Sequence, residues 1–224
     1  TQQNALTNSS AFNNATRPKG KHYDYEAESK VFALFSGIEG INLGKNLQGF
    51  GDIRAETINY SYDNKMIDGN TRDDGSVCGF GGCYYNRPAD RTDDHQEISA
   101  RLGLETNNEG INYFAQSSLG FRPPQINEAY RLQKKQSVSD LDSEKLSMFE
   151  VGSKFAFNRI NGTISFYKGK KKNSIFRDSE NFIIDNGKTN HEGMELTSRV
   201  QFKNKSSLLA SLTYGDHKYE FSSD

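Results

Sequence analysis

Apolar and charged side chains alternate, one residue at a time, along several segments of this chain. In residues 97–105 every even position is apolar and every odd position is charged or small. Residues 149–157 and 193–202 repeat the pattern with few exceptions. Successive side chains of a β-strand point to opposite faces, so the pattern predicts strands with one apolar and one charged face.

The spacing of these segments predicts eight strands, beginning near residues 22, 51, 95, 111, 147, 163, 191 and 206. In the first strand the pattern places Val31, Ala33 and Phe35 on the apolar face, opposite Glu28 and Lys30. Short turns are predicted at 107–110, 158–162 and 203–206, with a longer one at 42–51. Long connections are predicted at 63–94, 123–145 and 177–190. This alternation is typical of membrane barrels, which have short turns at one end and long loops at the other.

The composition agrees with strands that are apolar on alternate residues only. Hydrophobic residues make up 33% of the chain and the mean hydropathy is -0.82, which is lean for a soluble core of this length. The 11 tyrosines and 15 phenylalanines argue against disorder. The net charge of -1 argues against a nucleic-acid partner. No apolar run approaches the roughly 20 residues of a membrane helix.

The sequence therefore predicts an all-β fold, a segment of an antiparallel up-and-down transmembrane β-barrel. Two alternatives remain open at this stage. One is a passive outer-membrane channel or adhesion barrel. The other is a soluble all-β binding domain, which would need a mixed apolar interior in place of a charged face.

Four segments, taken in order, resemble one family. Residues 120–133 (GFRPPQINEAYRLQ) resemble the Gly-Phe-Arg-x-Pro strand end of TonB-dependent receptors. Residues 140–157 resemble the acidic loop and Glu-x-Gly strand opening that follow it. Residues 164–176 resemble the next strand, and residues 191–202 carry the Gly-x-Glu step.

The resemblance implies a 22-stranded barrel in the bacterial outer membrane, closed by a plug domain, that imports a scarce ligand. Its expected partners are the TonB energy-transducing complex, which acts through the plug, and a small-molecule or metal-chelate ligand such as an iron-siderophore, haem, cobalamin or saccharide. On this basis residues 1–21 are the remnant of an extracellular loop and residues 22–224 are a partial barrel. The plug and the terminal strands are expected to be missing. No enzyme activity and no cofactor are expected.

The longest loop holds the candidate ligand-binding residues. Aromatic rings and arginines at a loop apex suit a ligand with planar or acidic groups. The alternative is an ordered loop whose charges pair with each other. The candidates are Tyr84, Tyr85, Arg87, Asp90 and Arg91.

Two cysteines in the same loop are expected to form a disulfide, because glycines between them let close sulfurs meet and the cell surface is oxidising. They are Cys78 and Cys83. Metal ligation and free thiols are the alternatives, and no metal site is predicted, because the histidines are scattered.

Nine charged residues are predicted to face the lumen, mostly in structural roles. They are Arg54, Glu56, Glu97, Arg101, Glu105, Glu150, Lys154, Glu195 and Arg199. Lys170, Lys171 and Lys172 cannot all avoid the outer side of their strand. A positively charged rim formed by these lysines suggests contact with outer-membrane lipid and the phosphates of lipopolysaccharide.

Overall fold

The computed structural model describes residues 3–4, 11–136 and 139–220. A short β1 (Gln3–Asn4) pairs with β2 (Lys21–Tyr23), and α1 (Ala11–Thr16) lies between them. A second short helix, α2 (Ile126–Tyr130), lies in a loop. Eight longer strands follow β2: β3 (Tyr25–Gly44), β4 (Leu47–Asn64), β5 (Arg91–Thr106), β6 (Ile111–Arg122), β7 (Glu144–Phe157), β8 (Ile160–Arg177), β9 (Ile183–Gln201) and β10 (Ser207–Tyr219).

The eight longer strands form one antiparallel sheet in which each strand pairs with its neighbours in sequence. Within the described residues the sheet is open, with β3 and β10 at its edges. The up-and-down order confirms the predicted fold class. None of the helices among these residues is long and apolar enough to cross a membrane.

The register gives the sheet two chemically different faces. All nine charged residues predicted to share a face do so: Arg101 lies opposite Asp52 and Ser118, and Glu195 opposite Ser165 and Thr213. We call this the charged face. The apolar face carries the alternate residues, many of them strongly exposed, including Leu102 at 71%, Phe149 at 53%, Phe166 at 51% and Leu212 at 57%. An exposed apolar surface of this extent needs a partner other than water.

The prediction for β3 is wrong, because it assigns the side chains of this strand to the opposite faces of the sheet. Phe35 pairs with Arg54, and Val31 with Ile58, so both lie on the charged face. Phe32 and Leu34 lie on the apolar face instead and are 67% and 66% exposed. The four consecutive apolar residues 32–35 fit either phase, so pairing with β4 and not local pattern decides the orientation.

Two connections are shorter than predicted. The turn expected at 42–51 is reduced to Lys45–Asn46, and the long loop expected at 177–190 is reduced to residues 178–182. Asn46 adopts a φ of 59°, which asparagine tolerates in tight turns. β9 begins at Ile183 because its first residues continue the ladder with β8, although residues 185–190 are polar and show no apolar alternation. The other long connections, 65–90 and 123–143, lie at the same end of the sheet.

Glycines and aromatic rings oppose each other on the charged face and fix the register. Phe114 pairs with Gly152, and Tyr167 with Gly193. A Cβ on Gly152 would lie 2.5 Å from both the Phe114 ring and the carbonyl oxygen of Ile164. The aromatic ring therefore covers a position that only glycine can occupy. These two glycines are those of the Glu-x-Gly and Gly-x-Glu motifs.

Candidate functional site

The two long loops fold over the charged face at one end of the sheet and enclose a core of buried aromatic residues. Tyr62 of β4 stacks on Tyr130 of α2, with ring centroids 4.5 Å apart, and also contacts Tyr25 at 5.1 Å. Tyr130 is fully buried and donates a hydrogen bond to Asp93 at 2.7 Å. We call this cluster the loop core; its members are Tyr23, Tyr25, Ile58, Tyr60, Tyr62, Cys78, Cys83, Tyr85, Ala129 and Tyr130.

Arg87 lies beneath the loop surface and not at its apex. It is 1% exposed, and its guanidinium donates to the carbonyl oxygens of Ile67 at 2.7 Å, Thr71 at 2.8 Å and His22 at 3.1 Å. The guanidinium also lies 5.5 Å from the ring centre of Tyr85. Five N–H donors are the full capacity of arginine, so this network leaves little for a ligand.

Tyr85 is also buried, at 4% exposure, and its ring stacks on His22 with centroids 4.4 Å apart. The predicted ligand contact of Arg87 and Tyr85 therefore finds no support in this arrangement. Both residues instead stabilise the loop from within. A buried arginine is tolerated only when its donors are satisfied, and the carbonyl oxygens around Arg87 satisfy them. Burial raises the pKa of Tyr85 and raises that of Tyr23 to about 12.

A disulfide joins Cys78 and Cys83, whose Cα atoms lie 5.0 Å apart. The short loop that it closes contacts the N-terminal segment: Gly79 donates its backbone N–H to Ala15, and Tyr84 donates its own to Thr16 at 2.9 Å. Residues 11–20 are thus part of the loop assembly. That residues 1–21 are the remnant of an extracellular loop stays a prediction.

Three exposed aromatic rings and two cations meet on the outer surface of this assembly. Phe12 lies 5.3 Å from Phe80 and 5.7 Å from Tyr84, measured between ring centroids. The Arg17 guanidinium lies 5.0 Å from the Tyr84 ring centre and the Lys134 ammonium 6.0 Å from it. Phe80 is 64% exposed, Phe12 43% and Tyr84 36%. We call these five residues the aromatic–basic patch.

The two cations of the patch have no carboxylate partner within 4 Å among the residues that the structure describes. Lys134 is half-buried and donates to the carbonyl oxygen of Phe80 at 3.0 Å. Of the predicted ligand residues only Tyr84 belongs to the patch. Phe12, Arg17, Phe80 and Lys134 were missed, because they come from three separate segments that only the fold brings together.

The last two candidates of the loop lie away from the patch. Asp90 accepts a hydrogen bond from the backbone N–H of Asn64 at 2.7 Å. Arg91 forms ion pairs with Asp93 and, at 2.8 Å, with Asp140. The ion pair with Asp93 is of the kind that the alternative of paired loop charges describes, and the one with Asp140 joins the start of β5 to the loop 123–143.

Most of the nine charged residues on the charged face pair across strands. Arg101 contacts Asp52 at 2.7 Å, and Lys154 contacts Glu105 at 2.7 Å. Glu150 accepts a hydrogen bond from Gln116 at 2.7 Å, whereas Arg54 donates to Glu56 of its own strand.

Several of these residues line a groove of about 680 Å³ together with Phe50 and Phe114. Glu97 differs, because it is buried at 8% exposure and lies 3.4 Å from Lys145. Glu195 and Arg199 are exposed on β9.

These features define a class: a β-sheet wall, apolar on one side and charged on the other, with loops folded over the charged side. A family model described as "TonB dependent receptor-like, beta-barrel" matches residues 2–224. The chain belongs to this family. A comparison with curated proteins gives no match.

Solved structures agree on the fold. The chain superposes on the ferric-catecholate import receptor Fiu of E. coli K12 with a TM-score of 0.68 at 16% identity, covering 92% of this chain and 31% of Fiu. The copper transporter OprC gives 0.64 at 16% identity, covering 91% of this chain and 31% of that one. The ferric yersiniabactin receptor FyuA of Yersinia pestis gives 0.64 at 11%, covering 87% and 28%. The chain thus spans about a third of the length of these structures.

Proposed function

We propose that this chain forms part of the barrel wall of a bacterial outer-membrane receptor that takes up a scarce ligand with energy relayed by TonB. Residues 1–21 would complete an extracellular loop and residues 22–224 would supply part of the barrel. A plug domain and further strands would belong to the whole protein. The observation that carries the proposal is the two-faced sheet across a chain that the family model matches throughout.

The apolar face would meet lipid and the charged face the wet interior. Lipid excludes unpaired backbone groups, so a closed sheet is one of the two structures that cross a bilayer. The nine charged residues would then line the lumen, where cross-strand ion pairs such as Arg101–Asp52 are compatible with water. The passive channel remains the rival interpretation, because it shares the same wall.

The aromatic–basic patch is the proposed first contact for ligand. Exposed rings stack on planar groups, and cations without carboxylate partners attract negative charge. A ligand that is both aromatic and anionic satisfies both halves of the patch. A ferric catecholate, the class of ligand that Fiu imports, has these properties.

Outer-membrane lipid is a further proposed partner. Lys168, Lys170 and Lys172 continue the alternate positions of Ile164 and Phe166 along β8 and so lie on the apolar face, and Asn190 pairs with both Lys170 and Lys218. Lys168 and Lys170 have acidic neighbours in Glu192 and Glu220. A lysine rim above an apolar band suits the phosphates of lipopolysaccharide.

The lipid proposal is testable by native mass spectrometry of the whole receptor with lipid A. The triple Lys→Gln variant of the β8 rim lysines should retain less lipid than wild type. Lys154→Gln, which removes a lysine from the charged face, should retain as much. Equal retention by the rim variant would contradict the proposal.

Uptake of labelled iron as its dihydroxybenzoate complex tests the receptor function. Cells expressing the whole protein should accumulate iron only when TonB is also present. Accumulation that persists without TonB would indicate a passive channel and contradict the proposal. Energy-dependent uptake of a non-aromatic chelate in place of the catecholate would reject the ligand class and keep the receptor.

The patch is tested by substitution in the same cells. Arg17→Gln combined with Lys134→Gln should weaken binding of the ferric catecholate by about tenfold or more, since each charge-assisted contact contributes about 1.5–3 kcal/mol. Lys19→Gln, an exposed lysine of the same segment, should bind as wild type. Undiminished binding by the double variant would remove the patch from the ligand site.

A further inference from the structure

Two histidines face each other on the charged face near the loop end of the sheet. His191 of β9 and His217 of β10 are direct cross-strand partners. Their Nδ1 atoms lie 2.8 Å apart and their ring centroids 4.9 Å apart. His217 is exposed, so this end of the pair is open to solvent. Neither residue belongs to the aromatic–basic patch.

The hydrogen bonds of His191 accommodate the tautomer that has a lone pair on Nδ1. Its Nε2 lies 2.7 Å from the hydroxyl oxygen of Thr189, which is 6% exposed. When Nε2–H donates to that hydroxyl, Nδ1 is unprotonated and points at His217. Metal-bound histidines are commonly supported in this way, through a hydrogen bond from the other ring nitrogen.

We propose that His191 and His217 form a binding site for a divalent transition-metal ion, with Cu²⁺ preferred. Metal–imidazole bonds are about 2.0–2.1 Å long, so two nitrogens at right angles on one ion lie about 2.9 Å apart. The two atoms, joined here by a hydrogen bond of 2.8 Å, are thus already close to the separation that such an ion needs. A tetrahedral ion would spread them to roughly 3.3 Å. Right-angled nitrogen ligands are typical of tetragonal Cu²⁺, which also binds such ligands most tightly among the first-row divalent ions.

Binding requires one proton shift and no redox step. His217, which now shares its Nδ1 proton with His191, would carry its proton on Nε2 and give its Nδ1 lone pair to the ion. No group of three or more His, Cys, Asp or Glu side chains suited to a metal occurs in the described part of the chain. The protein therefore supplies two ligands, and water completes the coordination.

The surroundings leave room for those waters. Both histidines line a cavity of about 220 Å³, together with Glu144 and Lys171. Glu144 forms ion pairs with Arg122 at 2.7 Å and with Lys171 at 3.2 Å. Its negative charge therefore offsets the positive charge of Lys171 near the proposed ion. Lys218, adjacent to His217 in sequence, is paired with Asp216.

Electron paramagnetic resonance of the whole protein in detergent, with one equivalent of Cu²⁺, tests the site directly. The spectrum should show a tetragonal ion with superhyperfine coupling to two imidazole nitrogens. His191→Gln and His217→Gln should each remove this two-nitrogen signal. Thr189→Val should keep it but weaken copper binding by about 10–100-fold, the usual effect of losing such a supporting hydrogen bond.

His95→Gln is the matched control, because His95 lies on β5 with Tyr60 as its ring neighbour. It should leave the signal unchanged. A wild-type spectrum without two-nitrogen coupling would overturn the proposal even if the histidine variants failed to fold. A signal that survives His217→Gln would overturn it as well. The outcome is independent of ligand uptake, so the receptor function and this site can fail separately.

Discussion

The sheet and the loops of this protein are stabilised in opposite ways. In the sheet, large apolar side chains such as Leu102 and Phe149 lie exposed, and the opposite face is filled by ion pairs. In the loop core, by contrast, the tyrosines are nearly inaccessible to solvent, and so is Arg87 of the same loops. Most of the large apolar side chains on the apolar face of the sheet are thus exposed, whereas the loops are packed like a small soluble domain.

The comparison indicates what each region requires of its sequence. The sheet depends on register, because a slip of one residue would exchange its two faces. The loop core depends on close packing, because interiors tolerate few voids. Substitutions that block register should therefore abolish assembly, whereas those that open the loop core should leave the barrel intact.

The largest expected effect is that of Gly152→Val. The new Cβ would lie 2.5 Å from a backbone oxygen on β8, which cannot move without breaking the ladder. The cost should exceed the roughly 1–3 kcal/mol of ordinary overpacking. We expect loss of the compact, heat-sensitive band of the folded barrel in electrophoresis of outer membranes.

Gly120→Ala provides the control, since a Cβ at this position of the same face meets nothing within 4 Å. It should assemble as wild type. Normal assembly of Gly152→Val would show that the aromatic–glycine pairs do not fix the register.

Tyr130→Ala should open the loops and spare the sheet. Removing a fully buried aromatic side chain costs about 3–5 kcal/mol, here concentrated in the loop core. Trypsin should cut the loops 65–90 and 123–143 much faster, while the barrel band remains. Tyr84→Ala, at an exposed ring of the other loop, should change cleavage little. Loss of the barrel band in Tyr130→Ala would mean that the two regions fold as one unit.

Removing the disulfide should have a smaller and more local effect. A loop as short as that between Cys78 and Cys83 contributes about 2 kcal/mol by chain entropy. Cys78→Ser with Cys83→Ser should speed proteolysis near Gly79 and weaken ligand binding at the adjacent patch. Unchanged cleavage under oxidising conditions would show that the loop core alone holds this segment.

Acidification should give the smallest effect. Burial, followed by the charges of Arg17 and Arg87, lowers the pKa of His22, although its hydrogen bond to Pro18 opposes the shift. His22 therefore binds a proton more readily when the loop is open than when it is closed. The contribution of neutral His22 to the stability of the closed loop is complete above its unfolded pKa of about 6.5 and declines as the pH falls below that value. Cleavage of loop 65–90 should accelerate from pH 7.5 to 5.5 in wild type and less so in His22→Phe.

The regularity of β5, β7 and β9 made the sheet predictable, because in each of them one face is apolar and the other is not. The same reasoning failed at β3, where Phe32 and Phe35 lie on opposite faces and only the partner strand distinguishes them. It also failed beyond the apolar band, where residues 185–190 of β9 are polar on both faces and resemble a loop.

The candidate site was less predictable, because its contacts are long-range. An arginine is expected at the surface. The sequence near Arg87 does not indicate that the carbonyl oxygens of residues 22, 67 and 71 accept its hydrogen bonds and allow it to be buried. The patch likewise joins Arg17 to Tyr84 and Lys134 across the fold. The family resemblance identified the wall, but it did not identify which loop residues reach the surface.

Spin labels placed alternately along β5 test the central claim, that one face meets lipid and the other water. Labels at positions 98 and 102 should be relaxed by oxygen, which concentrates in lipid, and labels at 99 and 101 by a water-soluble nickel chelate. Equal exposure of all four positions to the nickel chelate, or the reverse pattern, would contradict the account.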